Sequence, residues 1–270
     1  MLRRNPLVLI GLLMIIGYVL VSLVSPSIIP RDPMKQDVSN RLKPPSADFS
    51  FGTDELGRDI FSRVLVGSRI TIPAGVIVVV IGSALGTLIG AVAGYVGGVW
   101  DEIIMRLTEL FMAFPTIILA MAVTAALGPD IRNAILALVV VWWPSYARLI
   151  RGLVLDVKSK EFVDGARSVG APDFYILFRT VLPNCLSPVV VLATLDIGNA
   201  ILTFAGLSFL GLGPDPSSPE WGRMVSIGID FFDQWWMWLY PGMAIALLVM
   251  AFNFIGDGVR DILDPRLRGK

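Results

Sequence analysis

Long apolar runs without charge constrain this chain most, because they are long enough to cross a lipid bilayer. A spanning helix needs about 20 mainly apolar residues. Candidate spans lie at residues 5–30, 70–100, 110–129, 133–147, 180–214 and 234–256, and only Asp196 interrupts the fifth. Charged residues make up 16% of the sequence, against about a quarter in soluble domains. The sequence therefore predicts an all-α polytopic membrane protein with six transmembrane helices.

The candidate spans also predict the domain organisation. We expect an N-terminal transmembrane helix at 1–30, an extracytoplasmic segment at 31–69 and a five-helix core at 70–270. Within the core, the stretches 151–183 and 212–236 are predicted to form a cytoplasmic and an extracytoplasmic loop. The first run exceeds the roughly 7–15 apolar residues of a signal peptide, and no A-x-A-like cleavage site follows it. We therefore expect the first helix to be retained.

Lysine and arginine are divided unevenly between the two sides of the predicted membrane. Such residues concentrate in cytoplasmic loops, and a cytoplasmic N-terminus places most of them inside. The inner set is then Arg3, Arg4, Arg106, Arg148, Arg151, Lys158, Lys160, Arg167, Arg179, Arg260, Arg266, Arg268 and Lys270. The short outer loops hold Arg132 and Arg223, and the longer first outer loop balances its basic residues with acidic ones. We expect both termini to be cytoplasmic.

The sequence lacks the residues that several classes of catalytic and binding site require. The chain has no histidine and one cysteine, Cys185, which excludes histidine-dependent triads, histidine metal ligation and thiolate metal sites. Its only Gly-Lys pair is Gly269-Lys270, so there is no phosphate-binding loop of the G-x-x-x-x-G-K-[ST] type. We expect no catalytic residue, metal site or cofactor in this chain, and we expect that it is not an enzyme. The zero net charge points to no nucleic-acid partner.

Asp196 is a candidate for function because it lies midway along an apolar span. A charge at the centre of a membrane helix costs about 3 kcal/mol on insertion scales, so it should face the bundle interior, a water-filled path or a partner. Asp196 and Asn199 are therefore a candidate translocation path. The alternative is a structural hydrogen bond between the two side chains.

A row of glycines runs along the second candidate span. Its members are Gly82, Gly86, Gly90, Gly94 and Gly98. Glycine at every fourth position leaves a groove in which another helix can approach closely. The row predicts either a contact with another subunit or a pore, or packing within the same chain.

The stretch EFVDGARSVGAPDFYILFRTVLPN, residues 161–184, is too polar to cross a bilayer and lies between two spans. Apolar residues recur at helical spacing on both sides of a Gly-Ala-Pro turn at 170–172. Glycine suits the end of a helix and proline the first turn of the next. We therefore expect two short amphipathic helices on the cytoplasmic side, forming either a contact surface for a partner or a pair of helices resting on lipid.

This stretch resembles the EAA loop of ABC importer permeases, E-A-A-x-x-x-G followed by nine residues and I-x-L-P. The matching positions are Asp164, Gly165, Ala166, Gly170, Leu182 and Pro183. Asp164 replaces glutamate, Gly165 replaces alanine and Thr180 replaces isoleucine. Three further stretches resemble the second-permease branch of the dipeptide/oligopeptide/nickel family. They are FGTDELGRDIFSRVLVGSR at 51–69, LSFLGLGPDPSSPEWGRM at 207–224 and DPRLR at 264–268.

The resemblance implies a type I ABC importer permease fold and a set of partners. These are a homologous second permease, two ATPase subunits that bind ATP and Mg, and an extracytoplasmic substrate-binding protein, in the cytoplasmic (inner) membrane of a prokaryote. The motif residues and Phe162 would couple this chain to the ATPases. Peptides are the implied substrate, with glutathione or chelated nickel as alternatives. A secondary transporter is the alternative from a different class.

The outer loop between the last two spans carries acids and tryptophans. We expect Asp215, Glu220, Asp230 and Asp233 to help meet a binding protein. Trp221, Trp235, Trp236 and Trp238 are predicted to be interfacial belt residues. The stretch 57–59 resembles a family feature, and the sequence gives it no role.

Overall fold

The computed structural model describes residues 6–263, so Arg3, Arg4 and the stretch 264–268 lie outside the described residues. Within this range the ordered elements are helices, with one isolated β-bridge between Thr53 and Asp59. The helices are α1 (Pro6–Ile28), α2 (Ile60–Val96), α3 (Gly98–Met112), α4 (Thr116–Leu127), α5 (Ile131–Lys158), α6 (Glu161–Ser168), α7 (Asp173–Tyr175), α8 (Leu182–Phe209), α9 (Trp221–Asp230) and α10 (Trp235–Leu263).

Five helical stretches are long and apolar enough to cross a membrane. They are α1, α2, α5, α10 and the continuous helix Asp173–Phe209, which includes α7 and α8. α3 and α4 together form a sixth candidate crossing, which is bent by 91°.

α2 and α5 show that the bent pair is a true crossing. Gly82 faces Trp142 and Gly94 faces Val154, so residue numbers rise in the same direction along both helices. Two parallel spans that follow one another in sequence need a return crossing between them, and α3 and α4 are the helices that connect them. The predicted all-α fold with six crossings is therefore confirmed.

Four members of the glycine row lie against α5. A Cβ at Gly86 or Gly90 would lie 2.3 or 2.2 Å from a backbone carbonyl oxygen of α5, and Gly82 and Gly94 also face that helix closely. Gly98 lies beyond the end of α2, with a φ of +62° and open space around it. The first four glycines thus serve a contact within this chain.

The third crossing differs from the single span predicted at 110–129. α3 ends at Met112, α4 begins at Thr116, and Pro115 is the N-cap of α4. Proline lacks an N–H and disfavours a helical conformation in the residue before it, which accounts for the break. α4 has 12 residues and is about 18 Å long at 1.5 Å per residue, well short of the roughly 30 Å bilayer core. The crossing is therefore divided between two helices.

α2 begins at Ile60, ten residues before the predicted boundary of the extracytoplasmic segment. Asp59 caps it, because its Oδ2 accepts hydrogen bonds from the backbone N–H (2.8 Å) and hydroxyl (2.6 Å) of Ser62. Arg63, in the first turn, is buried. Its Nε lies 3.6 Å from Asp54, and its other nitrogens donate to three backbone carbonyls. These partners allow a charged residue inside a packed helix, which hydropathy alone does not reveal.

The predicted cytoplasmic loop 151–183 is largely helical. α5 continues to Lys158, and a helix that begins at Asp173 joins α8 without a break. Ile176–Val181 is a π-helix just before Pro183. Pro183 cannot donate a backbone hydrogen bond, and a wider turn accommodates that loss within a continuous helix. The second short helix predicted here is thus the first part of the helix that forms the fifth span, which corrects the prediction.

Two apolar clusters form the core. The larger joins α2, α4, α5 and α8 and extends to Val163 of α6 and to Ile176. The second joins α8, α9 and α10 around Trp221 and Leu248. α6 is therefore attached to the same cluster as the α2–α5 pair.

Candidate functional site

The stretch 159–172, predicted to be cytoplasmic, holds one short helix, α6, between the ends of two long ones. Val163 anchors it, because its side chain is fully buried in the larger apolar cluster. Ala166, one turn later, packs against the same cluster. Gly170 follows the helix with a φ of +81°, a conformation that glycine adopts readily. α6 is thus held against the ends of the spans.

Four apolar side chains beside this anchor are left uncovered by the described part of the chain. Phe162 is 50% exposed, Val169 84%, Phe174 74% and Tyr175 53%. We call these four residues the docking face. Exposed apolar side chains in a short segment suggest an interaction surface, so the docking face is a candidate contact for another protein.

The remaining motif residues lie around the docking face. Asp164 is exposed and accepts a 3.4 Å hydrogen bond from Arg167. At Gly165 a Cβ would meet open space, so the family's alanine would fit there without a clash. Leu182 is partly buried against the larger cluster, and Pro183 is exposed.

Asp196 is held inside the bundle by two donors from α5. Its Oδ2 accepts hydrogen bonds from Tyr146 OH (2.9 Å) and Trp142 Nε1 (3.2 Å). The contact with Asn199 is long, at 3.5 Å from Nδ2 to Oδ1, and Asn199 is exposed. Asp196 therefore links α8 to α5, whereas Asn199 faces an open side of the bundle.

An open groove of about 710 Å³ runs along α8, α9 and α10. Its lining is mainly apolar side chains and glycines, such as Leu202, Gly206 and Val249, with Asn253 and Asp257 as polar members. Leu202 and Gly206 follow Asn199 on α8. Because the groove is open along one side, a second protein could close it.

The predicted extracytoplasmic loop 212–236 contains α9 and the start of α10, and parts of it are deeply buried. Glu220 caps α9 by accepting hydrogen bonds from the N–H groups of Gly222 (3.0 Å) and Arg223 (2.8 Å). It is fully buried, and burial raises its pKa. Trp221 and Trp236 are buried and donate their indole N–H groups to backbone carbonyls. Glu220 is therefore unavailable to a binding protein, and neither tryptophan is a belt residue.

The stretch 57–59 has a structural role. Gly57 has a φ of +73°, and a Cβ there would lie 1.8 Å from the carbonyl oxygen of Asp37. Arg58 is buried, with its Nε 2.6 Å from Asp54 Oδ2. This stretch therefore fixes the segment between α1 and α2 at the start of α2.

Two sets of contacting residues were not singled out by the sequence. Trp142 and Tyr146 are aromatic residues with a hydrogen-bond donor at the end of the side chain. Because they are four positions apart, they share one face of α5. That spacing could have indicated a pair of donors facing a buried acceptor. Tyr95 and Asp173 are joined by a 2.6 Å hydrogen bond between residues 78 positions apart. No local pattern predicts such a pair.

Two family models match this chain. Residues 86–269 match the model of the binding-protein-dependent transport system inner membrane component. Residues 1–45 match the N-terminal transmembrane domain of oligopeptide transport permease C.

Individual relatives agree over the full length. A probable D,D-dipeptide transport system permease protein of Escherichia coli K12 is 45% identical, over 100% of this chain and 91% of the relative. A dipeptide transport system permease protein of Alkalihalophilus pseudofirmus is 41% identical (99% and 88%). A glutathione transport system permease protein of Escherichia coli O6:K15:H31 is 45% identical (99% and 89%). The chain therefore belongs to the ABC importer permeases of the dipeptide/oligopeptide/nickel family, in its second-permease branch.

Proposed function

We propose that this chain imports short peptides as one of two permease subunits in a prokaryotic cytoplasmic membrane. The observation that carries the substrate class is full-length similarity, at 45% and 41% identity, to permeases named for dipeptides. A homologous second permease completes the path, and two ATPase subunits bind ATP and Mg. An extracytoplasmic binding protein delivers the peptide. In this account the chain itself is not an enzyme.

The docking face is the proposed contact with one ATPase subunit. Buried apolar anchors carry most interface energy, and the docking face offers exposed aromatic and aliphatic side chains next to charged residues. Val163 fixes α6 to the span cluster, so a push on the docking face reaches the spans. The motif residues Asp164, Gly165, Ala166, Gly170, Leu182 and Pro183 shape this surface and its attachment.

The groove along α8, α9 and α10 is the proposed half of the translocation path. It is open on one side and mainly apolar, so the second permease closes it without leaving strong binding sites along the way. Asn199 lies on the α8 face that leads into the groove. Asp196 supports this helix from behind through its bonds to α5.

The orientation follows from the same proposal. The docking face must meet ATPases in the cytoplasm, and Lys158, Lys160 and Arg167 lie beside it, as the positive-inside rule expects. Both termini are then cytoplasmic, and the stretch between α1 and α2 is extracytoplasmic.

Glutathione is a second candidate substrate because a relative named for glutathione transport is also 45% identical. A secondary transporter is no longer an alternative, since the family depends on a binding protein. The binding protein and the permease together select the substrate. Sequence identity of the permease alone therefore does not distinguish a dipeptide transporter from a tripeptide transporter.

Uptake into proteoliposomes tests the substrate class. The complex is reconstituted with its binding protein and offered labelled L,L-dipeptide, D,D-dipeptide or glutathione. We expect ATP-dependent uptake of a dipeptide, which unlabelled dipeptide competes away. Uptake of glutathione with no dipeptide uptake would instead support the second candidate.

A further inference from the structure

We propose that the hydrogen bond between Tyr95 and Asp173 transmits movement of the cytoplasmic segment to α2, which makes Tyr95 a positioning residue for coupling. The inference rests on the proposed function, in which ATPase subunits push on the docking face. It concerns how that push reaches the spans.

Tyr95 lies where α2 ends, and Asp173 begins the helix that continues into α8. The Tyr95 hydroxyl donates to Asp173 Oδ1 at 2.6 Å. Tyr95 as a whole is 7% exposed and belongs to the larger apolar cluster. Its ring is thus fixed in the core while its hydroxyl holds the helix next to the docking face.

Two further elements meet the same tyrosine. Lys158, the last residue of α5, donates to the Tyr95 carbonyl oxygen and has its ammonium 5.1 Å from the centre of the Tyr95 ring. Arg167 of α6 lies near enough to the Tyr95 hydroxyl to act on it electrostatically. The cytoplasmic ends of α2, α5, α6 and the α7–α8 helix therefore converge on one residue.

A hydrogen bond between Tyr95 and Asp173 transmits movement between the two helices better than apolar packing alone, because it is directional. Val163 is the one fully buried residue of α6, so packing gives α6 a single deep anchor. A hydrogen bond to a carboxylate is short and stronger than a neutral one, and it holds a distance while the docking face moves. α2 then carries the movement along its tight contact with α5.

The test compares transport with hydrolysis in the reconstituted full complex. Tyr95→Phe removes only the hydroxyl, and Asp173→Ala removes the acceptor together with its charge. We expect both variants to keep their ATPase subunits and hydrolyse ATP, while the peptide transported per ATP falls at least threefold. The double variant should fall no further than either single one, as expected for two residues that act through one bond. Asp173→Asn retains an acceptor and should lose less.

Tyr240→Phe is the matched control, because it removes a tyrosine hydroxyl on the opposite side of the bundle, where the ring stacks on Phe51. Asp173 is exposed, so Asp173→Ala reports on the bond if Tyr95→Phe folds poorly. Unchanged transport per ATP in both single variants would overturn the inference and leave the proposed function intact. A wild-type complex that fails to transport any peptide would overturn the proposed function and this inference together.

Discussion

Specific partners hold two charged side chains within the helix bundle, the partly buried Asp196 and the buried Arg63. Asp196 accepts hydrogen bonds from Trp142 and Tyr146, and Arg63 is surrounded by Asp54 and three backbone carbonyls. Removing one partner of a buried charge is costly because the other is left uncompensated. Asp196 therefore joins α8 to α5, and Arg63 joins α2 to loop residues before α2 and before α9.

Replacing Asp196 tests whether it is structural. Asp196→Ala leaves two donors of α5 without an acceptor, and we expect a loss of stability of about 2–4 kcal/mol, seen as a lower midpoint of thermal unfolding in detergent. Asp196→Asn keeps one acceptor and should cost less. Asn199→Ala, on the exposed side of the same helix, should change stability by less than about 0.5 kcal/mol. Normal stability of Asp196→Ala with loss of transport would assign Asp196 to the path instead.

Arg63 and Arg69 provide a matched pair on α2. Arg63 is 1% exposed, whereas Arg69 is exposed. Arg63→Met should destabilise the protein by about 3 kcal/mol, because Asp54 loses a charge partner and three carbonyls lose a donor. Arg69→Met should leave the unfolding midpoint nearly unchanged. Equal effects of the two substitutions would show that the cluster around Arg63 contributes little.

At the scale of helices, the α2–α5 contact depends on missing side chains. A Cβ at Gly90 would lie 2.2 Å from the carbonyl oxygen of Ala147, and this backbone atom cannot move aside cheaply. Close approach gives two membrane helices their van der Waals attraction. The contact is therefore sensitive to a single methyl group.

Gly90→Ala should weaken this contact by about 1–3 kcal/mol, the usual cost of overpacking. Gly17→Ala is the control, because Gly17 lies in α1 with nothing within 4 Å of its Cβ position, and alanine is the better helix former by about 1 kcal/mol. Thermal unfolding in detergent should show a lower midpoint for the first variant and no loss for the second. A stable Gly90→Ala protein would contradict the packing described here.

The long helices could be predicted from sequence because a membrane-spanning segment must be apolar over its whole length, and hydropathy measures this directly. Their interruptions were harder to place. Pro115 interrupts an apolar run that predicted a single span. Pro183 follows a π-helix, and the helix continues through it instead of starting again there. The early start of α2 depends on partners of Arg63 that come from distant loops. Boundaries fixed by tertiary contacts leave no local signal.

In the candidate site too, features that depend on local sequence could be predicted, whereas features that depend on distant residues could not. The motif at 164–183 could be recognised from sequence because its spacing is local to one segment. The burial of Glu220 and the pairing of Tyr95 with Asp173 could not be predicted, since each depends on residues far away in sequence. The roles of the motif residues in coupling remain predictions.

At the scale of the whole molecule, the docking face should set the affinity for the ATPase. Phe162→Ala removes an exposed aromatic side chain at the proposed interface, and we expect a loss of about 2 kcal/mol of binding, or roughly thirtyfold in Kd. The measurement is ATPase retained on the purified permease pair over a dilution series. Phe232→Ala, an exposed phenylalanine in the extracytoplasmic loop, should retain the ATPase as wild type does. Equal retention by both variants would place the ATPase contact elsewhere.

The central claim is that this permease couples ATP hydrolysis to peptide import. The most direct measurement is ATP hydrolysis by the co-purified complex in proteoliposomes, with and without its binding protein and a short peptide. We expect peptide-loaded binding protein to stimulate hydrolysis and to drive uptake of the peptide. A complex that carries no ATPase, or whose hydrolysis is indifferent to the loaded binding protein, would contradict the claim.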